Sequence, residues 1–469
     1  MSETPSHDKA GRDVVDHSAG ELVEMLAQRK VGALELTDAL IARIEDRDRA
    51  LNAVVVRDFD RARSAAKAAD ALIAKGERRP LLGLPMTVKE SNNVEGLPST
   101  WGSPAFTGWT APVDAVAVQR LRAAGAIVVG KTNVPPFLAD WQSNNPIYGR
   151  TKNPWDLGLS PGGSSGGSAA ALASGMTPLE IGSDIGGSIR IPAAFCGVYG
   201  HKPTYNLVPS RGHTPPGTDG GPIPLAVVGP MARTAADLQR ALDVVAGPEP
   251  EEAKGYALNL APPRHKDLAD YRILVLTRHP LAATDSEVAA AVEALGERLN
   301  RLGCAVFRGS DALPDLAAQH GVYMQILGAA MSRGTPGAQP INAHEWMNAL
   351  DAQLHFRRLW ATFFEDFDVV IMPTFGTTAF AHDDSEDREA QRLTIDGKAT
   401  IYFDQLAWPG VALLPNLPAT AIPIGFSRGG LPIGAQIVGP YLEDRTTIHV
   451  AGLIEREFGG FVPPPPLTE

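Results

Sequence analysis

Two stretches of this chain set hydroxyl side chains among paired glycines. One is Pro161-Gly162-Gly163-Ser164-Ser165-Gly166-Gly167-Ser168, and the other is Gly182-Ser183-Asp184-Ile185-Gly186-Gly187-Ser188-Ile189-Arg190-Ile191-Pro192. A serine hydroxyl is a weak nucleophile at neutral pH, so either stretch attacks a carbonyl only with a base in reach. Two residues without Cβ before Ser188 would let backbone N–H groups approach a carbonyl oxygen as it gains charge. Lys89 closes the apolar run Leu84-Pro85-Met86-Thr87-Val88. Burial there lowers an amine's pKa, and a neutral lysine accepts a proton. The imidazole candidates are His201, His213, His279 and His320, and no local context sets one apart from the others.

Three shorter patterns point elsewhere. Gly125-Ala126-Ile127-Val128-Val129-Gly130-Lys131-Thr132 matches the phosphate-loop consensus letter by letter. A phosphate cradle needs a flexible turn of N–H donors between strand and helix, whereas this interior is the β-branched run of a buried strand. Ser64-Ala65-Ala66-Lys67 fits Ser-x-x-Lys, but it lies in an Ala-rich helical stretch with no Lys-Thr-Gly partner. Gly163-Ser164-Ser165-Gly166-Gly167 fits Gly-x-Ser-x-Gly, which would make Ser165 a nucleophile served by a histidine. The preceding Leu159-Ser160-Pro161-Gly162 does not look like the buried strand that motif needs. A Gly/Ser tract also reads as a linker. This one runs into helix-forming residues 169–174 and then a second Gly-Gly-Ser, which argues against a linker.

Together with Gly83 to Glu90, Cys196-Gly197 and Lys202-Pro203-Thr204, the two glycine–serine stretches closely resemble the amidase signature family, serine hydrolases with a Ser–cis-Ser–Lys triad. Residues 125–133, Asn153-Pro154, Pro418-Ala419 and 430–436 are similar to further family segments. The resemblance covers nearly the whole chain and is weakest over 250–355. It implies Lys89 as base, Ser164 as proton shuttle after a cis peptide bond, and Ser188 as nucleophile. It also implies an oxyanion hole from the N–H groups of Ile185, Gly186 and Gly187 with that of Ser188. The implied reaction is amide hydrolysis through an acyl-serine intermediate, with no metal and no organic cofactor. Family members usually carry Asp where Glu90 stands.

Family members cleave fatty or aryl amides, peptide C-terminal amides, small diamides, esters and carbamates. Residues 135–144, 205–225 and 321–337 are expected to shape the pocket, with Phe137, Leu138, Trp141, Gln142, Arg211 and Gln325 binding substrate. Their mostly aromatic and aliphatic character favours hydrophobic or aryl amides, with esters and carbamates (urethanes) as related small-molecule substrates. A second reading is the glutaminase subunit of a tRNA-dependent amidotransferase, which works with partner subunits and tRNA. Arg190 is expected to make a structural ion pair with Asp184 or another carboxylate, and Cys196 to be a buried apolar residue.

The elements that must position these residues follow from periodicity. Ser18 is a helix cap, followed by apolar residues at helical spacing on both sides of Val31-Gly32. Residues 58–75 and 115–124 read as helices, and Ala126-Ile127-Val128-Val129, Ile273-Leu274-Val275-Leu276 and Val369-Val370-Ile371-Met372 as buried strands. Val288, Val292, Leu295, Leu299 and Leu302 fall on one helix face. Alternation of this kind predicts an α/β fold. The resemblance makes it an amidase signature fold, a large mixed β-sheet covered on both faces by helices. One domain is expected over 1–469, with a signature core at about 80–205 and a variable peripheral region at about 250–355.

Of 469 residues, 44% are hydrophobic and 20% charged, a globular composition. The net charge is 42 − 53 = −11, with no long basic run, so no nucleic-acid partner is expected. Cys196 and Cys304 cannot make a disulfide framework, which suggests a reducing, cytoplasmic setting. Residues 1–17 lack the apolar core of a secretory leader, and no run of about 18 apolar residues would span a membrane. The oligomeric state stays open, with a homodimer as one option.

Overall fold

The computed structural model describes residues 13–218, 221, 223–333, 338–385, 387 and 389–466. Parts of the N-terminal segment 1–17, the loop 205–225 and the segment 321–337 therefore lie outside the described residues. Ser18 caps α1 (Ala19–Ala27): its Oγ accepts the Glu21 N–H, and the Glu21 carboxylate accepts the Ser18 N–H in return. After Gly32 comes α2 (Ala33–Leu51), which buries Leu36, Leu40, Ile41 and Ile44. β1 (Val54–Arg57), α3 (Phe59–Ala74), β2 (Pro85–Lys89), α4 (Val116–Ala123) and β3 (Ile127–Thr132) follow. The three strands form a small sheet in the order β1-β3-β2, with β2 parallel and β1 antiparallel to β3. The phosphate-loop look-alike is thus largely the strand β3, buried along its whole length.

A short hairpin of β4 (Asn144–Asn145) and β5 (Gly149–Arg150) leads to α5 (Gly166–Ala173), β6 (Leu179–Asp184), α6 (Arg190–Cys196) and β7 (Tyr199–Lys202). Next are β8 (Val227–Ala232), α7 (Ala235–Val245), β9 (Arg272–Val275), α8 (Ser286–Arg301), β10 (Ala305–Phe307), α9 (Leu316–Ser332), α10 (Ala343–Asp366) and β11 (Val369–Pro373). The hairpin β12 (Arg392–Ile395) and β13 (Lys398–Ile401), α11 (Ala407–Leu413), β14 (Ala419–Phe426), β15 (Pro432–Val438) and α12 (Asp444–Phe458) complete the chain. Eight strands make one mixed sheet in the order β10-β9-β11-β15-β14-β7-β8-β6. The pairs β10/β9 and β9/β11 are parallel and the rest antiparallel.

β11 shows why these strands read as continuous apolar runs. Val369 and Ile371 join a core with Val292, Leu295 and Leu299 of α8 and Ile448 and Leu453 of α12. Val370 and Met372 turn the other way, to Trp360 and Phe363 of α10 and Trp408 and Val411 of α11. Helices cover both faces, so neither set of alternating side chains needs to be polar. Lys89 lies outside the large sheet. It ends β2 of the small sheet, which packs beside β6 at the large sheet's edge. Among the described residues no helix is long and apolar enough to cross a membrane. Both cysteines are buried and free.

Candidate active site

Lys89 is wholly buried, with its Nζ 2.6 Å from Ser164 Oγ and 2.9 Å from Ser183 Oγ. A neutral amine keeps two N–H donors and one lone pair, so it can donate to Ser183 and still accept from Ser164. Burial pulls the Lys89 pKa down to about 7, against the charges of Asp184 and Glu180, which favour the ammonium. Glu180, on β6, accepts hydrogen bonds from Thr132 Oγ1 (2.9 Å) and the Ile181 N–H (2.8 Å), and burial raises its pKa to about 7. Lys89 makes no ion pair with its sequence neighbour Glu90. Glu90 instead accepts from the N–H (2.5 Å) and Oγ1 (2.8 Å) of Thr100, the Trp101 N–H (3.0 Å) and the Tyr148 hydroxyl (3.3 Å).

The Gly163–Ser164 peptide is cis. The next residue ties the two serine stretches together, its N–H donating to Ser188 O at 3.1 Å. Among the described residues Ser165 Oγ hydrogen-bonds only to the backbone of Ser183, at 3.4 Å in each direction. Among the described residues no histidine touches it. His201 is held by Thr420 and Asp444, and His213 by Ser91. The histidine-served Gly-x-Ser-x-Gly reading therefore lacks its base. Ser164 and Ser188 line one cavity without a direct hydroxyl–hydroxyl bond. Catalytic contacts of this kind are often open before substrate arrives.

The turn from β6 into α6 is organised by Asp184. Its carboxylate accepts the N–H of Gly187 (2.8 Å) and of Ile189 (3.1 Å), and meets Arg190 Nε and Nη2 at 3.0 Å each. Burial works to raise the Asp184 pKa, but the Arg190 guanidinium overrides it and holds the group below its ordinary value. Gly187 has φ +91°, and a Cβ there would lie 2.4 Å from Ile191 Cδ1, so the turn requires glycine. The oxyanion expectation is corrected at this residue, because the Gly187 N–H is already committed to Asp184. The Ile185 carbonyl accepts the Tyr323 hydroxyl at 2.9 Å, and the Gly186 carbonyl accepts Trp141 Nε1 at 2.8 Å. A trans peptide points its N–H opposite its C=O, so Tyr323 aims the Gly186 N–H and Trp141 aims the Gly187 N–H. The N–H groups of Ile185, Gly186 and Ser188 have no acceptor among the described residues.

Ser188 stands where two cavities meet. The larger, about 320 Å³, is lined by Trp141, Met324, Leu327, Gly328, Phe403 and Leu406 among others. The smaller, about 120 Å³, holds Ser164, Ser183, Trp101, Phe137, His213 and Arg333. Leu138, Ile185 and Met331 border both. Of the expected substrate residues, Phe137, Leu138 and Trp141 therefore line the site. Gln142 does not: its amide is spent on the backbone of Asp383 in both directions, at 3.0 and 2.8 Å. Arg211 is also elsewhere, with its side chain 53% exposed and paired with Glu249 and Glu251. Gln325 is exposed on α9, whose cavity face is the i, i+3, i+4, i+7 set Met324, Leu327, Gly328 and Met331.

The amidase family model matches residues 35–335 and 325–448. This chain belongs to the amidase family. Membership makes it a hydrolase of amide C–N bonds. A glutamyl-tRNA(Gln) amidotransferase subunit from Roseiflexus castenholzii is 33% identical over 483 residues, covering 92% of this chain and 94% of that protein. A solved structure from a protein complex tied to the evolutionary origins of an s-triazine catabolic enzyme superposes with TM-score 0.81 at 28% identity, over 94% of this chain and 98% of its own. The substrate complex of 6-aminohexanoate cyclic dimer hydrolase gives TM-score 0.79 at 27% identity, over 95% and 98%.

Several residues of this amidase site escaped sequence reasoning. Ser183 carried a signal, since it stands in the same glycine–serine stretch as Ser188. Tyr323 and the apolar face of α9 lie in the segment 321–337 expected to shape the pocket, but which of its side chains turn inward carried no signal, because their contacts are with residues far away in sequence. Trp101 was missed, and His213, which lies in the expected pocket segment 205–225, is brought against it only by the fold.

Proposed function

We propose that this amidase hydrolyses hydrophobic or aryl amides through an acyl-Ser188 intermediate, with Lys89 as base and Ser164 as relay. The observation that carries the reading is the buried Lys89 amine, 2.6 Å from a Ser164 hydroxyl that shares a cavity with Ser188. Ser164 passes its proton to Lys89 Nζ as it takes one from Ser188 Oγ, which bonds to the substrate carbonyl carbon. The N–H groups of Ile185, Gly186 and Ser188 receive the developing oxyanion. The C–N bond breaks as the Lys89 proton returns through Ser164 to the departing nitrogen. Water then attacks the acyl ester by the same relay, and Ser188 is restored.

Ser164 lines only the smaller cavity, so the departing amine belongs there and the acyl part in the larger one. The larger cavity is apolar apart from Asp140, which accepts the Tyr402 hydroxyl at 2.8 Å. Among the described residues it has no cationic side chain, which favours an uncharged acyl group. Esters and carbamates present the same carbonyl to the same nucleophile and are proposed as secondary substrates.

The relatives' names favour a second reading, the glutaminase subunit of a tRNA-dependent amidotransferase. On that reading the chain works with partner subunits and tRNA, contrary to the expectation from its acidic charge. Its substrate, glutamine, would bring a carboxylate to the acyl cavity. Amine release from acyl anilides and ammonia release from glutamine, measured on the purified chain, separate the two. Anilide turnover with glutamine inert supports the proposal. Ammonia from glutamine with anilides inert overturns it in favour of the second reading.

A further inference from the structure

Backbone strain gathers around the smaller cavity. Among the described residues ten that are not glycine take a left-handed φ, and three of these, Trp101, Phe137 and Leu138, line that one cavity. Bulky residues seldom adopt this conformation, and it persists where the surroundings impose it, most often at functional sites. Burial offsets the strain at Trp101 and Leu138, which are 5% and 9% exposed. At Phe137 it does not: φ is +53° and the residue is 49% exposed.

Neighbouring chain segments hold Phe137 at the cavity. Its N–H donates to Trp101 O at 2.8 Å, and the N–H groups of Leu138 and Ala139 close turns onto Pro135 O (3.1 Å) and Pro136 O (3.2 Å). Gly102 lets the two segments touch, since a Cβ there would lie 3.0 Å from Pro135 O. The Phe137 ring meets the Phe106 ring at 75°, with centroids 5.9 Å apart, and nearly half of the residue stays uncovered. Trp101 and His213, whose rings lie 5.1 Å apart, border the same cavity. Its volume of about 120 Å³ is close to the ~150 Å³ of a cavity that holds one benzene ring.

We infer that Phe137 is a specificity-determining residue whose exposed ring packs against an aromatic ring on the departing amine, so that this amidase prefers amides carrying the ring on nitrogen and not on the acyl group. The inference rests on the amide hydrolysis proposed above and on its division of the substrate, which places the departing amine beside Ser164. The strain at residue 137 is then the cost of presenting an aromatic face to the substrate.

The test compares kcat/KM for hexanoyl anilide and for hexanamide, whose leaving group is ammonia, in wild type and in variants at position 137. Intrinsic reactivity cancels when each substrate is compared across proteins. Phe137→Leu keeps the apolar bulk and the backbone strain but not the ring, so the anilide should lose about three- to tenfold more than hexanamide. Phe137→Tyr, which keeps the ring, should stay within about twofold of wild type on the anilide. Asn tolerates a left-handed φ, so Phe137→Asn should lose the anilide preference while resisting denaturant at least as well as wild type. Equal factors for anilide and hexanamide in the Leu and Asn variants overturn the inference and leave the proposed function standing. So does a selective loss on phenylacetamide, whose ring is on the acyl side, with the anilide spared. A wild type inert toward the anilide overturns the proposed function, and the inference with it.

Discussion

Lys89 Nζ lies within hydrogen-bond reach of the Ser164 and Ser183 hydroxyls, and burial holds its pKa at about 7. It is an ammonium below that pH and an amine above it. On the proposed mechanism the amine is the active form, so kcat/KM should rise with pH through a midpoint near 7 and then level off. A profile that falls over that range contradicts the assignment. Glu180 supplies negative charge that favours the ammonium, so Glu180→Gln should move the midpoint to lower pH. The shift is read from the same titration. Lys89→Met should lower kcat/KM by about 10²–10⁴-fold, the usual worth of a positioned base. The proposed triad came from the family resemblance, to which the paired glycines around Ser164 and Ser188 and the run ending at Lys89 give a local signal. Gln142 and Arg211 misled because what occupies them, Asp383 and Glu249, is far away in sequence.

At the scale of elements, the β6–α6 turn aims the proposed oxyanion donors, and Asp184 with Arg190 is its fastening. Both side chains are buried, so Arg190→Ala leaves a buried carboxylate without its partner. That change should cost about 3–5 kcal/mol in denaturant unfolding, with activity falling as the turn loosens. Periodicity exposed β3, β9 and β11 as strands because each is covered on both faces. It also exposed α8, where one apolar stripe faces the sheet. It did not reveal that α9 turns Met324 and Met331 to the site and Gln325 to solvent. Both faces of α9 carry apolar residues, so the inward side was set by the partner helices and not by the pattern.

Across the whole molecule, Lys89, the proposed base, arrives on the small sheet, and Ser188, the proposed nucleophile, in the turn that follows β6, the edge strand of the large one. The candidate active site therefore lies where the two sheets meet, with α9 lining its cavities. The resemblance gave the large mixed sheet, whereas Lys89's separate sheet was not read from its strand pattern. The two cavities predict a division of the substrate. Gly328 faces the larger one with open space where a side chain would begin. Gly328→Trp should fill that space and lower kcat/KM for long or bulky acyl anilides at least tenfold more than for acetanilides. Equal losses across an acyl-length series would place the acyl group elsewhere.

The most direct measurement is the rate and position of covalent labelling by a fluorophosphonate, followed by peptide mass mapping across pH. The account predicts label on the Ser188 peptide, at a rate that rises through about pH 7 and collapses in Lys89→Met. Label on Ser165, or unchanged labelling without the Lys89 amine, would contradict it.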